Sequence, residues 1–157
     1  MSFKKKTETA LLDLTVIPVS AFTNAAGHRL TSEENQEANR ALPCILAEYH
    51  PGQPWRTNAL GENIGCESGL LTLTLWSKAD KTTAEDSPAP EAEHAANLVL
   101  LRNVLQVSGI AALLSAAVAD FTIFSAQAAP PPSTAPQDRC FIGGFAWQIR
   151  GCETDCA

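Results

Sequence analysis

Hydrophobic and polar residues alternate most regularly between residues 69 and 79. Leu71, Leu73 and Leu75 fall on one side of an extended backbone, and threonine, tryptophan and lysine side chains occupy the other side. Because the threonines also favour extended backbone, this stretch predicts a central β-strand.

Three further segments have strand-like patterns. They cover residues 42–49, 120–127 and 141–149. Pro43 fits only at the beginning of the first, because proline cannot donate to a strand ladder. The Gly143-Gly144 pair predicts a β-bulge in the last.

Helical periodicity appears on both sides of the central strand. Residues 2–17 predict a first helix, in which Ala10, Leu11 and Leu14 share a face. Residues 91–106 predict a second helix, with acids at its front and Arg102 near its end, as the helix dipole favours. Apolar residues cover most of its circumference, so we expect it to be well buried.

Two weaker helical segments complete the pattern. Residues 110–119 predict an alanine-rich helix, and residues 30–40 are polar and compatible with a helix. Thr31 and Glu34 have the spacing of a capping box at the start of the latter segment.

This order of elements predicts an α+β fold, with a mixed or antiparallel sheet of about four strands packed against two to three helices. The length indicates a single domain over residues 1–157. Proline, glycine and polar residues predict flexible loops near 50–66, 80–90 and 128–138.

The net charge and the distribution of apolar residues argue against several classes of protein. The formal net charge of −6 argues against a general nucleic-acid or membrane binder, because phosphate attraction needs a basic field. No apolar run approaches the length of a membrane span, and the N-terminus lacks the features of a secretory signal. We therefore expect a soluble protein made in the cytosol.

Five cysteines form an odd and scattered set, which predicts reduced thiols. The spacing of Cys152 and Cys156 could serve a metal, but zinc sites need four ligands, and no histidine lies near them in sequence. The stronger interpretation is a solvent-facing tail. We expect no metal site.

No catalytic signature is present. The sequence contains no nucleophile elbow, H-E-x-x-H helix, phosphate-binding glycine loop or C-x-x-C pair. His28, His50 and His94 are isolated, and each is expected to be a surface or capping residue. The residues alone therefore predict no catalytic residue and no cofactor.

Two groups of residues are candidates for other roles. Asp80, Glu85 and Asp86, in the loop before the second helix, are more typical of a solvated face than of an acid–base or metal cluster. Trp55 and Arg56 lie in the long predicted loop, and such residues are favoured at protein interfaces. The alternative is that this loop packs on its own domain.

The layout resembles the tail terminator (tail-completion) proteins of long-tailed bacteriophages over residues 3–151. The similarity lies in five segments and in a short final pair of strands. The first two segments are a helical start containing Phe3-Lys4-Lys5-Lys6 and the Gly27-His28-Arg29-Leu30 junction. The other three are the Leu42-Pro43-Cys44-Ile45-Leu46 strand, the central Leu71-Thr72-Leu73-Thr74-Leu75 strand and the Ala92-Glu93-His94 helix start. The proline-rich segment 128–137 departs from the usual layout.

The resemblance implies a non-enzymatic α+β subunit of the virion. Such a subunit forms a ring, by resemblance a hexamer, on the head-proximal end of the tail tube. The implied partners are other copies of the chain, the major tail tube protein and the head–tail connector proteins, and DNA passes through the lumen without specific binding. We expect at least some of Asp80, Glu85 and Asp86 to line or rim this lumen, where acids repel phosphates.

Two alternatives remain at this point. One is another phage head–tail joining or neck protein, with different ring partners. The other is a small cytosolic enzyme or binding module with an acid-lined pocket between residues 80 and 93.

Overall fold

The fold is that of a computed structural model. It describes residues 3–15, 29–35, 44–52, 56–57, 59–60, 63–78, 90–107, 110, 114–115, 118, 121–130 and 140–153. The helices are α1 (Phe3–Asp13) and α2 (Pro90–Val107), and the strands are β1 (Arg29–Thr31), β2 (Cys44–Pro51), β3 (Arg56–Thr57), β4 (Asn63–Lys78), β5 (Phe121–Ala129) and β6 (Cys140–Glu153).

The six strands form one curled, mixed sheet in the order β1-β2-β4-β6-β5, and β3 pairs with the beginning of β4. The β1–β2 pairing is parallel, and the other pairings are antiparallel. The predicted α+β class is confirmed, but the sheet has more than the four strands expected. The predicted helix at 110–119 lies mainly outside the described residues.

β4 is the central strand, but it begins earlier than its hydrophobic alternation indicates. It starts at Asn63, pairs with β2 from Gly69 to Trp76, and pairs with β6 from Cys66 to Lys78. The single loop expected over 50–66 is therefore wrong in extent, because β2 reaches Pro51 and β3 lies within it. Backbone pairing, rather than side-chain alternation, makes residues 63–68 a strand.

The main core lies between α1, α2 and the sheet face that carries Leu71, Leu73 and Leu75. These leucines are fully buried, as are Leu11 of α1 and Leu101 of α2. The predicted sidedness of the central strand is confirmed. The opposite sheet face is also buried around Trp76, where a second cluster contains Leu30, Cys44, Leu46 and Trp76.

A buried glutamate joins α1 to the edge of the sheet. Glu8 Oε1 accepts hydrogen bonds from Ser32 N (3.0 Å) and Ser32 Oγ (2.8 Å), and Oε2 accepts one from Tyr49 N (2.8 Å). β1 ends at Thr31, so Tyr49 N faces no further residue of that strand. The Glu8 carboxylate satisfies this donor instead, which stabilises a buried backbone group.

Thr31 and Glu34 make the side-chain contact expected of a capping pair, but not at a helix start. Thr31 Oγ1 donates to Glu34 Oε1 (2.8 Å), and Glu34 N donates to Thr31 O (3.1 Å). Thr31 ends β1, and residues 32–34 form a turn. The predicted helix is therefore absent from residues 30–35, and residues 36–40 lie outside the described part.

Tyr49 occupies the space above Gly69 on the neighbouring strand. Its ring is buried, and its hydroxyl donates to Glu67 Oε1 (2.6 Å). Burial, followed by the contact with Glu67, raises the pKa of the Tyr49 phenol far above its usual range. A side chain at Gly69 would collide with the phenol ring, so this close approach requires glycine.

Cys66 and Cys152 are paired residues of β4 and β6, and they form a disulfide. The prediction of reduced thiols is wrong for this pair, and both residues are buried. Cys152 lies within β6 rather than in a solvent-facing tail. Cys44 is buried and is not part of this disulfide.

The bulge predicted at Gly143-Gly144 is absent. β4 and β6 keep an unbroken register there, with Leu75 opposite Gly143 and Thr74 opposite Gly144. Register shifts lie instead in β5, between Ile123 and Ser125, and in β3, between Arg56 and Thr57. A side chain at Gly144 would collide with the backbone of Leu73, so the glycine permits close approach of the strands.

Candidate interaction surfaces

A buried pair of side chains connects the beginning of α2 to the end of β4. His94 Nδ1 and Ser77 Oγ are 2.7 Å apart, and the His94 ring lies 5.8 Å from the Phe141 ring. Burial lowers the pKa of His94, which favours the neutral imidazole. Of the predicted roles, surface or capping residue, the surface position is wrong, because His94 is buried.

A serine hydrogen-bonded to a neutral histidine is also the beginning of a nucleophilic site. Here only 7% of Ser77 and 9% of His94 are exposed, which restricts the access of any substrate. The effect that the geometry supports is positional, because the pair holds the first turns of α2 against the sheet.

Among the side chains of α2 that the structure describes, most of those facing away from the sheet are apolar. The exposed residues among them are Ala92, Ala95, Ala96, Val99, Leu100, Arg102 and Asn103. Val99 and Leu100 are each 44% exposed, whereas Leu101 and Leu105 face the core. The expectation that α2 is well buried is therefore wrong for this side of the helix. We call Ala92, Ala95, Ala96, Val99 and Leu100 the α2 face.

A shallow groove adjoins the α2 face. It is lined by Leu98, Val99, Arg102, Gly144 and Phe145. The helix forms one wall, and β6 forms the other. Gly144 has no side chain and Phe145 is only partly buried, so the apolar surface continues from the helix onto the sheet.

The sheet offers a second candidate surface at its open edge. β5 is the last strand in the sheet order and pairs with β6 on one side. Within the described residues, its other side has no strand partner. Ser125, Ala126, Gln127, Ala128 and Ala129 are small or moderate in size, so another backbone could approach closely. Such an edge can pair with an added strand.

Most site residues expected from the sequence cannot be placed on these surfaces. Trp55, Asp80, Glu85 and Asp86 lie outside the described residues. Arg56 lies in β3, where it pairs with Cys66 of β4. Their roles at an interface and in a lumen stay predictions.

The described residues contain no group of three or more histidine, cysteine, aspartate or glutamate side chains arranged to hold a metal ion. In the same part of the chain, no helix is long and apolar enough to cross a membrane.

Sequence reasoning missed the burial of His94 and the exposed apolar side of α2. The sequence contains a sufficient signal only for the first. His94 precedes Leu101 and Leu105 by seven and eleven positions, which places it on their buried stripe. Ala92, Ala95, Ala96 and Val99 form a second stripe, but periodicity alone does not show that the sheet covers only the first.

No protein-family model matches this sequence, and neither does any curated protein at a significant level.

Proposed function

We propose that the chain is a structural virion protein that forms a ring on the head-proximal end of a phage tail tube. The ring ends polymerisation of the tube and provides the surface to which the head connector joins. The subunit acts through contacts and does not catalyse a reaction.

The observation that carries this proposal is the open sheet. β1 and β5 lie at opposite ends of the strand order, so the two edges of one subunit are different surfaces. A closed ring needs such a head-to-tail contact between two different surfaces of identical subunits. The nine-residue β5 gives one of these contacts a backbone edge, which is regular from Ser125 to Ala129.

The net charge of −6 supports the proposed path of DNA through the ring. A lumen lined by acids lowers adhesion of the polyanion to the wall. Asp80, Glu85 and Asp86 are the residues proposed for this lining, since they concentrate negative charge in one short segment between β4 and α2. The proposed partners are other copies of the chain, the tail tube protein and the head–tail connector.

Electron microscopy of tail tubes tests the function directly. Tubes incubated with the purified chain should carry one ring at one end and stop growing when tube protein is added. Tubes without it should continue to grow. Unchanged growth and bare tube ends would contradict the proposal.

A second arm tests the site residues. Trp55→Ala should weaken ring formation and leave the melting temperature of the subunit little changed, if Trp55 contributes to subunit or tube contacts. A large loss of subunit stability would place Trp55 in the core, where truncation of an aromatic side chain costs about 3–5 kcal/mol.

A further inference from the structure

The α2 face has the composition of a buried surface although it is exposed. Between residues 92 and 100, the exposed side chains that the structure describes are alanine, valine and leucine, in a chain with 17 acidic and 11 basic residues. An apolar stripe on a helix is normally covered by a core or a partner. The adjoining groove extends this surface onto β6.

We propose that the α2 face binds a second copy of this chain, with the two α2 helices antiparallel across a two-fold axis. The alanines permit close approach of two helix backbones, and Val99 and Leu100 supply the side chains that become buried. With the axis near residue 97, Val99 of each copy lies opposite Ala95 of the other. A larger side chain then meets a smaller one on both sides of the axis.

The charges of α2 favour a second copy of the chain as the partner at the α2 face. They also favour an antiparallel arrangement of the two helices. Arg102 is exposed beyond the apolar residues, and the first turn of α2 contains Glu91 and Glu93. The same axis places Arg102 of each copy opposite residue 92 of the other, between the two acids. Parallel helices would instead bring like charges together, which opposes pairing.

This contact is isologous, because both copies use the same surface. It joins subunits in pairs and is separate from the head-to-tail contacts of the proposed ring. The pairing can therefore fail while the ring proposal stands, and the reverse also holds.

Sedimentation equilibrium of the full chain over a range of concentrations tests the pairing. The wild type should show reversible association of the 16.7 kDa chain. Val99→Glu with Leu100→Glu should raise the dissociation constant by at least about tenfold, because acids would be buried at the contact. Leu60→Glu is the matched control, since Leu60 is an 83% exposed leucine outside α2, and it should leave association unchanged.

A charge exchange tests the orientation and does not depend on the apolar substitutions. Arg102→Glu should weaken association, and adding Glu91→Arg and Glu93→Arg should restore it. Circular dichroism of each variant checks the fold. A wild type that stays monomeric would overturn the proposal. So would association that both sets of substitutions leave unchanged, which would place the contact on another surface.

Discussion

At the scale of residues, Glu8 connects α1 to two segments that are 24 and 41 positions away in sequence. Its two oxygens accept from Ser32, which follows β1, and from Tyr49 of β2. Only 1% of Glu8 is exposed, so water cannot replace these bonds readily. The side chain completes the pairing that the short β1 leaves unfinished.

Glu8→Ala should lower the free energy of unfolding by at least about 1–3 kcal/mol, the cost of a buried donor left without a partner. Urea denaturation measures the loss. Glu33→Ala is the control, because Glu33 is exposed and forms a surface ion pair with Lys5 at 3.4 Å. It should change stability by no more than about 0.5 kcal/mol. Equal losses in the two variants would contradict the role assigned to Glu8.

His94 makes stability depend on pH in a defined direction. Its pKa is lowered in the folded protein, so between that value and the ordinary histidine value of about 6.5 the unfolded chain binds more protons. The contribution of the neutral His94 side chain to the free energy of unfolding is complete above the pKa of His94 in the unfolded chain. It is lost as the pH falls through the pKa of His94 in the folded protein.

Denaturation midpoints measured from pH 7.5 downwards test this dependence. For each protein, the loss of stability is measured between neutral pH and a pH below about 6.5. This loss should be larger for the wild type than for His94→Gln. His50→Gln provides the control, because His50 is exposed on β2. If His94→Gln and the wild type have the same pH profile, the buried imidazole is not the cause.

At the scale of elements, the pairing of β4 with β6 organises the sheet. It extends from Cys66 to Lys78, and the disulfide crosses it near the start of β4. The two cysteines are 86 residues apart in sequence, so the bond closes a long loop. Such a bond restricts the unfolded chain strongly.

Cys66→Ala with Cys152→Ala should lower the free energy of unfolding by about 2–5 kcal/mol. Thermal denaturation with and without dithiothreitol identifies the cause: the reductant should lower the melting temperature of the wild type and leave the double variant unchanged. Cys44→Ala, which removes a buried cysteine outside the disulfide, should retain the response to reductant. A wild type indifferent to reductant would contradict this prediction.

At the scale of the whole molecule, the proposed function depends on surfaces that one subunit leaves exposed. The α2 face and the β5 edge lie on different elements, and each can contact a separate partner. The proposed lumen charge belongs to the same scale, because it would act on DNA only after several subunits had formed the proposed ring.

Changing Asp80, Glu85 and Asp86 together to lysine should leave the subunit folded and able to form rings. The new positive charge should attract phosphates and slow DNA ejection or reduce plaque formation, and added salt should weaken the effect, since screening acts over about 8 Å under physiological conditions. Full infectivity of the triple variant, or a ring structure with this loop on the outer rim, would refute the lumen placement.

The α+β class, the central strand and the bounds of α2 follow from the sequence because their signals are local. Leu71, Leu73 and Leu75 alternate with polar residues, and α2 lies within one residue of its predicted limits. For the α2 face, the sequence predicted the helix but did not predict that one of its sides is exposed.

Features that depend on distant partners required the tertiary structure. Residues 66–68 become strand because β6 pairs with them, and Asn63 pairs with Thr57 of β3. Cys66 becomes oxidised because the register with β6 places it opposite Cys152. His94 is buried because α2 packs its Leu101 side on the sheet. Local periodicity describes what each segment can bury, whereas tertiary packing decides which side is covered and which remains available to a partner.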